Sequence, residues 1–350
     1  MKIRLSIAVL LAIFYGCSQN SSTNLILPDN PSFVYTGRFD MRDRSKPVFM
    51  YSGCSIKTIF TGTSVELLLK DDSLRNFFTV IIDDSLFVIE ANRSDSTYRL
   101  AENLEKGKHT LEIIRRSEWH GGNTSFLGLR LDPKSKVQKP AQNERRMEFI
   151  GDSYTCGYGN EGKSQTENFK YSTENNYMSF GAITARNVNA DYVAVCRSGI
   201  GIVQGYGGSR GFNMPRFYDE VTLDTTIIWD YTQYQPHVVF LDLIANDLSA
   251  KLDSAEFLTK YIEFVKRIRS NYPEANIVCA AGPSGPGEDW ERTQSYIHTA
   301  YNELSKNDPK VNYFEFSPFE PEGSDWHPTV DQHMNMAEEL TPFIKKLMNW

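Results

Sequence analysis

A serine that can act as a nucleophile needs three things: exposure at a strand end, free backbone N–H groups beside it, and a base within reach. The segment Gly151-Asp152-Ser153-Tyr154-Thr155-Cys156-Gly157-Tyr158-Gly159-Asn160 meets the first two on paper. It follows the apolar run Met147–Ile150, and its glycines let the chain turn sharply at the sheet edge. The candidate base is His327, in Gly323-Ser324-Asp325-Trp326-His327-Pro328, just before the last helical stretch. Core packing explains poorly a histidine held between tryptophan and proline on a loop. Of the six histidines, the others fall in helices (His298, His333), at a strand start (His237) or in the N-terminal half (His109, His120). A metal site built from His327, Asp331 and His333 lacks any standard ligand spacing, so none is expected.

The elements that must position these residues change character along the chain. From Phe33 to Leu131 the pattern is short β runs between Gly, Asp and Asn turns. Examples are Ser64–Leu69, Phe77–Ile82, His109–Ile114 and Ser125–Leu131. Strands at this spacing without helices between them predict an all-β sandwich or jelly roll. After Arg145 strand-like runs alternate with helical periodicity. The strands are Met147–Ile150, Tyr192–Val195, His237–Leu243, Asn276–Ala281 and Val311–Phe316. The helices are Tyr177–Val188, Ser254–Tyr272 with Ser254 as its cap, Trp290–Leu304 and Val330–Leu347. This rhythm predicts an α/β layer on a parallel sheet, with ligands beyond the carboxyl ends of the strands. The expected organisation is a signal peptide over residues 1–17, a tether over 18–30, a β domain over 31–132, a linker over 133–145 and an α/β domain over 146–350.

Bulk properties narrow the partners. The net charge of −7 disfavours nucleic acid and a polybasic membrane patch. The 18 tyrosines and 5 tryptophans suit aromatic-rich cores and also sugar platforms, which need an apolar face with a polar edge. Lys2 and Arg4, the apolar run Leu5–Tyr15 and then Gly16-Cys17 resemble a bacterial lipoprotein signal. The chain is therefore expected to be exported, touching the membrane only through a lipid on Cys17; a plain secretory signal is the alternative. The remaining cysteines, Cys54, Cys156, Cys196 and Cys279, form no CxxC pair, so a metal or redox site of that kind is not expected. Their disulfide state stays open.

Four blocks in order resemble the SGNH (GDSL-type) hydrolases: the Gly-Asp-Ser start, a glycine after the second strand, an Asn-Asp after the third, and a histidine near the end. The N-terminal half adds Tyr51-Ser-Gly-Cys-Ser-Ile56, Phe60-Thr-Gly62 and Arg115-Arg-Ser-Glu118, which resemble the N-terminal domain of carbohydrate esterase family two. The resemblance implies a jelly-roll domain followed by a three-layer α/β/α SGNH domain. It also implies removal of acetyl groups from plant polysaccharides or other sugars, with no cofactor. It places the nucleophile and first oxyanion donor at Ser153, the second donor at Gly199, the third at Asn246 and the base at His327. Trp326 and Trp290 are the candidate sugar-stacking residues.

Two departures stand out. Ile244 occupies the position two before Asn246 where a glycine is usual. Ser324 occupies the position three before the histidine where the superfamily has aspartate, and Asp325 lies two before. Either the Asp325 carboxylate or a backbone carbonyl orients His327, and the carboxylate is the expectation. Two other functions keep the same fold: an acyl hydrolase acting on lipids or thioesters, and a sugar-binding protein without catalysis. The polar, glycine-rich loops disfavour the first, and the presence of Ser153, Asn246 and His327 disfavours the second.

Overall fold

The computed structural model describes residues 24–92 and 96–350. Cys17 and the expected signal segment lie outside the described residues. Among those residues no helix is long and apolar enough to cross a membrane.

The short β runs pair antiparallel and form two sheets. One runs in the order Asn24–Ile26, Thr124–Leu131, Val65–Asp71, Ser96–Ala101, with Val48–Phe49 also on Thr124–Leu131. The other runs Val137–Gln138, Ser55–Gly62, Gly107–Arg115, Asn76–Ile82, Ser85–Ala91, with Val34–Thr36 on Ser55–Gly62. Alternation decides what faces inward: Val65, Leu67 and Leu69 are fully buried, and Glu66 and Leu68 between them are only partly so. Phe78, Val80, Phe126 and Leu129 are fully buried in the same core. Two boundaries differ from expectation. Asn24–Ile26 lies inside the expected tether yet pairs with Leu129–Leu131, and Val137–Gln138 lies inside the expected linker yet pairs with Ile59 and Phe60. Strands of two or three residues are too short to show alternation in a sequence.

The second half is a five-stranded parallel sheet in the order Ala190–Cys196, Arg145–Gly151, Val238–Asp242, Asn276–Ala281, Val311–Glu315. All five residues of Val238–Asp242 are buried, as a strand covered on both faces requires. The chain steps from the first strand to one side and then returns to the other. The crevice beyond the carboxyl end of Arg145–Gly151 is therefore the topological switch point, where ligands bind in open α/β sheets. Helices Phe180–Asn187, Ser254–Asn271, Glu288–Leu304 and Val330–Met348 connect and cover the strands. Asp253, not Ser254, caps the second of these: its extended backbone places its side chain on the N–H of Glu256, whereas Ser254 is already helical.

The two domains share a buried contact. Arg38 of the β domain is fully buried and reaches Glu148 on the central strand at 3.7 Å. Aromatic rings surround its guanidinium: Tyr218 at 4.9 Å, Trp229 at 5.4 Å, Tyr231 at 5.7 Å and Tyr51 at 5.8 Å from ring centroids. The hydroxyls of Tyr218 (2.9 Å) and Tyr272 (3.0 Å) donate to the Glu148 carboxylate.

Candidate active site

Gly151 ends the central strand, and a side chain there would collide with Thr155 Oγ1, 2.0 Å from an ideal Cβ. Glycine thus lets the chain turn directly into the short helix Ser153–Cys156. Asp152 caps that helix by accepting from the N–H of Tyr154 at 3.1 Å, which leaves Ser153 as its first residue. The Ser153 hydroxyl lies 2.8 Å from His327 Nε2. On the other side of the ring, Nδ1 meets the carbonyls of Asp325 at 2.9 Å and Ser324 at 3.2 Å. Carbonyls only accept, so Nδ1 carries the proton and Nε2 is left as the acceptor for the Ser153 proton. Burial lowers the His327 imidazole below its ordinary value of 6.5, although those two carbonyls favour the charged form. It is therefore neutral at neutral pH, as a base must be.

Two backbone N–H groups, one in each of the first two blocks, are left free. Neither the N–H of Ser153 nor that of Gly199 has a hydrogen-bond partner among the described residues. Gly199 has φ +76°, a left-handed conformation that favours glycine. Its loop is held from the third block. Asp247 accepts from the N–H groups of Ile202 (2.8 Å), Val203 (2.8 Å) and Gln204 (3.0 Å). Asn246 Nδ2 donates to Asp152 Oδ2 at 2.9 Å and to the Ile200 carbonyl at 3.0 Å. Both of its hydrogens are engaged there, so the donation to an oxyanion expected of Asn246 would replace one of these bonds. In this structure it clamps the first block to the second. Burial pushes the Asp152 carboxyl up to about 7.

Comparison with known proteins accords with this geometry. The Carbohydrate esterase 2 N-terminal family matches residues 35–140, and the GDSL-like Lipase/Acylhydrolase family matches residues 149–337. The chain is 31% identical over 337 residues to an acetylxylan esterase / glucomannan deacetylase of Cellvibrio japonicus, covering 94% of this chain and 93% of that protein. The chain belongs to carbohydrate esterase family two. It is also 37% identical over 328 residues to the cellulase/esterase CelE of Acetivibrio thermocellus, covering 92% of this chain but spanning only 40% of that protein's length. The solved family two esterase from Cellvibrio japonicus superposes with a TM-score of 0.88 at 30% identity, covering 94% of this chain and 99% of that one. A family two esterase from Clostridium thermocellum in complex with cellohexaose gives 0.86 at 36% identity, covering 91% and 99%.

As a member of this family the chain is a serine ester hydrolase, and its expected site residues can now be placed. Ser153 and His327 meet in a direct hydrogen bond, and Gly199 lies on the loop after the neighbouring strand Ala190–Cys196. The Asp325 side chain does not join them. Its carboxylate accepts from Tyr158 Oη and from the N–H of Phe169, both at 3.0 Å, while its backbone carbonyl serves His327. The physical reason is the backbone: Asp325 (φ 49°) and Trp326 (φ 59°) are both left-handed, which aims the carbonyl at the imidazole and leaves the carboxylate on Tyr158 and Phe169. The Tyr158 ring in turn lies 4.3 Å from the His327 ring. Trp326, beside His327, is 56% exposed and free to meet a ligand. Trp290 is half-buried at the start of Glu288–Leu304. Its neighbours Asp289 and Thr293 line a cleft of about 250 Å³ beside Asp152 and Tyr154, but Trp290 does not. Sequence reading missed Asp247, Tyr158 and Tyr206. Tyr206 donates its N–H to the Gly199 carbonyl at 2.9 Å, with 74% of its surface exposed.

Two outcomes follow from this esterase's geometry. Asp325→Asn should lower kcat/KM by less than about threefold, because the backbone carbonyl that fixes the tautomer remains; Asp325→Ala, which frees Tyr158 and Phe169 N–H, should cost about tenfold. A loss above about a hundredfold in Asp325→Asn would restore the carboxylate as the orienting group. The acid limb of kcat/KM should lie below 6.5, since protonation of Nε2 removes the base only once pH falls through the lowered value. An acid limb that stays above 6.5 when Asp152 is replaced by asparagine would contradict the neutral, buried imidazole.

Proposed function

We propose that this chain hydrolyses acetyl esters on the hydroxyls of plant polysaccharides or their oligosaccharides, with Ser153 as nucleophile and His327 as base. The observation that carries the reading is the hydrogen bond between Ser153 Oγ and His327 Nε2, with Nδ1 held by carbonyls on its far side. Ser153 Oγ attacks the acetyl carbonyl as its proton passes to Nε2. The N–H groups of Ser153 and Gly199 receive the oxyanion, and the imidazolium then protonates the departing sugar hydroxyl. Water, deprotonated by the same imidazole, releases acetate from the acetyl-enzyme.

The relatives named for acetylxylan and glucomannan, and the family two structure holding cellohexaose, support a β-linked glycan as the substrate. Trp326, next to His327 in the chain, and Tyr206, whose N–H bonds to the Gly199 carbonyl, carry exposed rings that suit the apolar faces of sugar rings. Export with a lipid on Cys17 completes the proposal. It rests on the order of charge, apolar run and Gly16-Cys17, and it puts the enzyme where polysaccharide is found.

The test is a panel of p-nitrophenyl esters from acetate upward, followed by acetylated xylan, glucomannan and pectin. Acetate should be turned over far faster than longer acyl chains, and at least one polysaccharide should release it. Equal or faster turnover of long acyl chains would favour a lipid or other acyl ester instead.

A further inference from the structure

The loop that carries Gly199 is gripped from the other domain. Glu118, in the β-domain segment before the short helical turn Trp119–Gly121, is completely buried. Its carboxylate accepts from the N–H of Ser198 at 2.7 Å and from the Ser198 hydroxyl. The next residue, Trp119, stacks on the guanidinium of Arg197 at 3.6 Å, and Phe212 covers another side of that cation at 4.0 Å. The two residues immediately before Gly199 are thus both fixed by adjacent residues of the N-terminal domain. Burial alone would raise the Glu118 carboxyl, yet bonds from His120 and Ser198 hold it below its ordinary value, so it is ionised. Glu174 lies beside it, with a carboxylate oxygen of each acid within 4.8 Å of the other. Burial pushes the Glu174 carboxyl well up, so it stays neutral and leaves the charge on Glu118.

We infer that Glu118 is a positioning residue for the ester hydrolysis: from the β domain, through Ser198, it fixes the Gly199 N–H where the oxyanion forms. A carboxylate suits the position because one donor is a backbone N–H and the other a hydroxyl, and an anion can accept from both at once. A left-handed glycine is the most mobile residue in such a loop, so its neighbours must hold it. Displacement of a catalytic donor by about 1 Å costs on the order of a hundredfold in rate. The inference rests on the reading of Gly199 as an oxyanion donor in an acetyl esterase.

The experiment measures kcat and KM on p-nitrophenyl acetate for the full chain and its variants, with thermal unfolding in parallel. Glu118→Ala should lower kcat about tenfold to a hundredfold with KM within about twofold, because the donor matters in the transition state and not for ground-state binding. Glu118→Gln should recover to within about fivefold of wild type, since its amide can accept from the Ser198 N–H and donate to the Ser198 hydroxyl. If Glu118→Ala does not fold, the cycle of Glu118→Gln, Ser198→Ala and the double variant takes its place. Acting through one contact, the two changes should combine to less than the product of their separate effects. Wild-type turnover with kcat unchanged in Glu118→Ala, a rise in KM alone, or strict multiplicativity in the cycle would overturn the inference and leave the esterase reading standing. An inactive wild type would overturn both.

Discussion

Ser153→Ala should lose on the order of 10⁴-fold or more in kcat on p-nitrophenyl acetate while folding normally. The loss is large because the hydroxyl is the atom that forms the covalent bond; residual turnover reflects only binding and the remaining oxyanion donors. Folding should survive because the hydroxyl's hydrogen-bond partner is His327, and the short helix that carries Ser153 is capped by Asp152 instead. Removing Oγ leaves His327 Nε2 able to take water at the partly exposed site. Residual activity above about a tenth of wild type, with an unchanged circular dichroism spectrum, would remove Ser153 from the mechanism.

Arg38→Met should destabilise the protein by about 3–5 kcal/mol, because it leaves the Glu148 carboxylate buried without its cation. Burial raises the Glu148 carboxyl, and Arg38 and the tyrosine hydroxyls oppose that; without Arg38 the group is pushed further toward the neutral form. The change also empties an aromatic cage that spans both domains. The double variant Arg38→Met/Glu148→Gln should be less damaging than the single one, since no charge then remains to be buried. The urea midpoints of the three proteins, with the slope unchanged, give the comparison. A single variant within about 1 kcal/mol of wild type would mean that Glu148 finds compensation elsewhere.

What the sequence made legible was whatever is written locally. Strand-then-helix rhythm predicted the parallel sheet, and the chemical segments follow strand ends because that is where a buried strand releases its chain to solvent. The left-handed turn at Asp325 and Trp326 was not legible. Spacing put a carboxylate near His327, but the φ values decide that the carbonyl and not the side chain faces the ring. Asn246 was legible as a polar residue at the right strand end, yet its hydrogens are claimed by Asp152 and Ile200, partners from two other loops. Glu118 was quoted only as part of a motif and Trp119 not at all, because contact between a β-domain turn and a loop some eighty positions later leaves no periodic signal. A glutamate followed by tryptophan, three positions past the strand Gly107–Arg115, was the available clue.

The most direct measurement is acid-quench mass spectrometry of the enzyme turning over an acetylated oligosaccharide. The account predicts a single acetyl group on the peptide that contains Ser153, decaying as acetate appears, and no such adduct in Ser153→Ala. Acetate released at the wild-type rate by Ser153→Ala, or an acetyl group carried on a different residue, would contradict it.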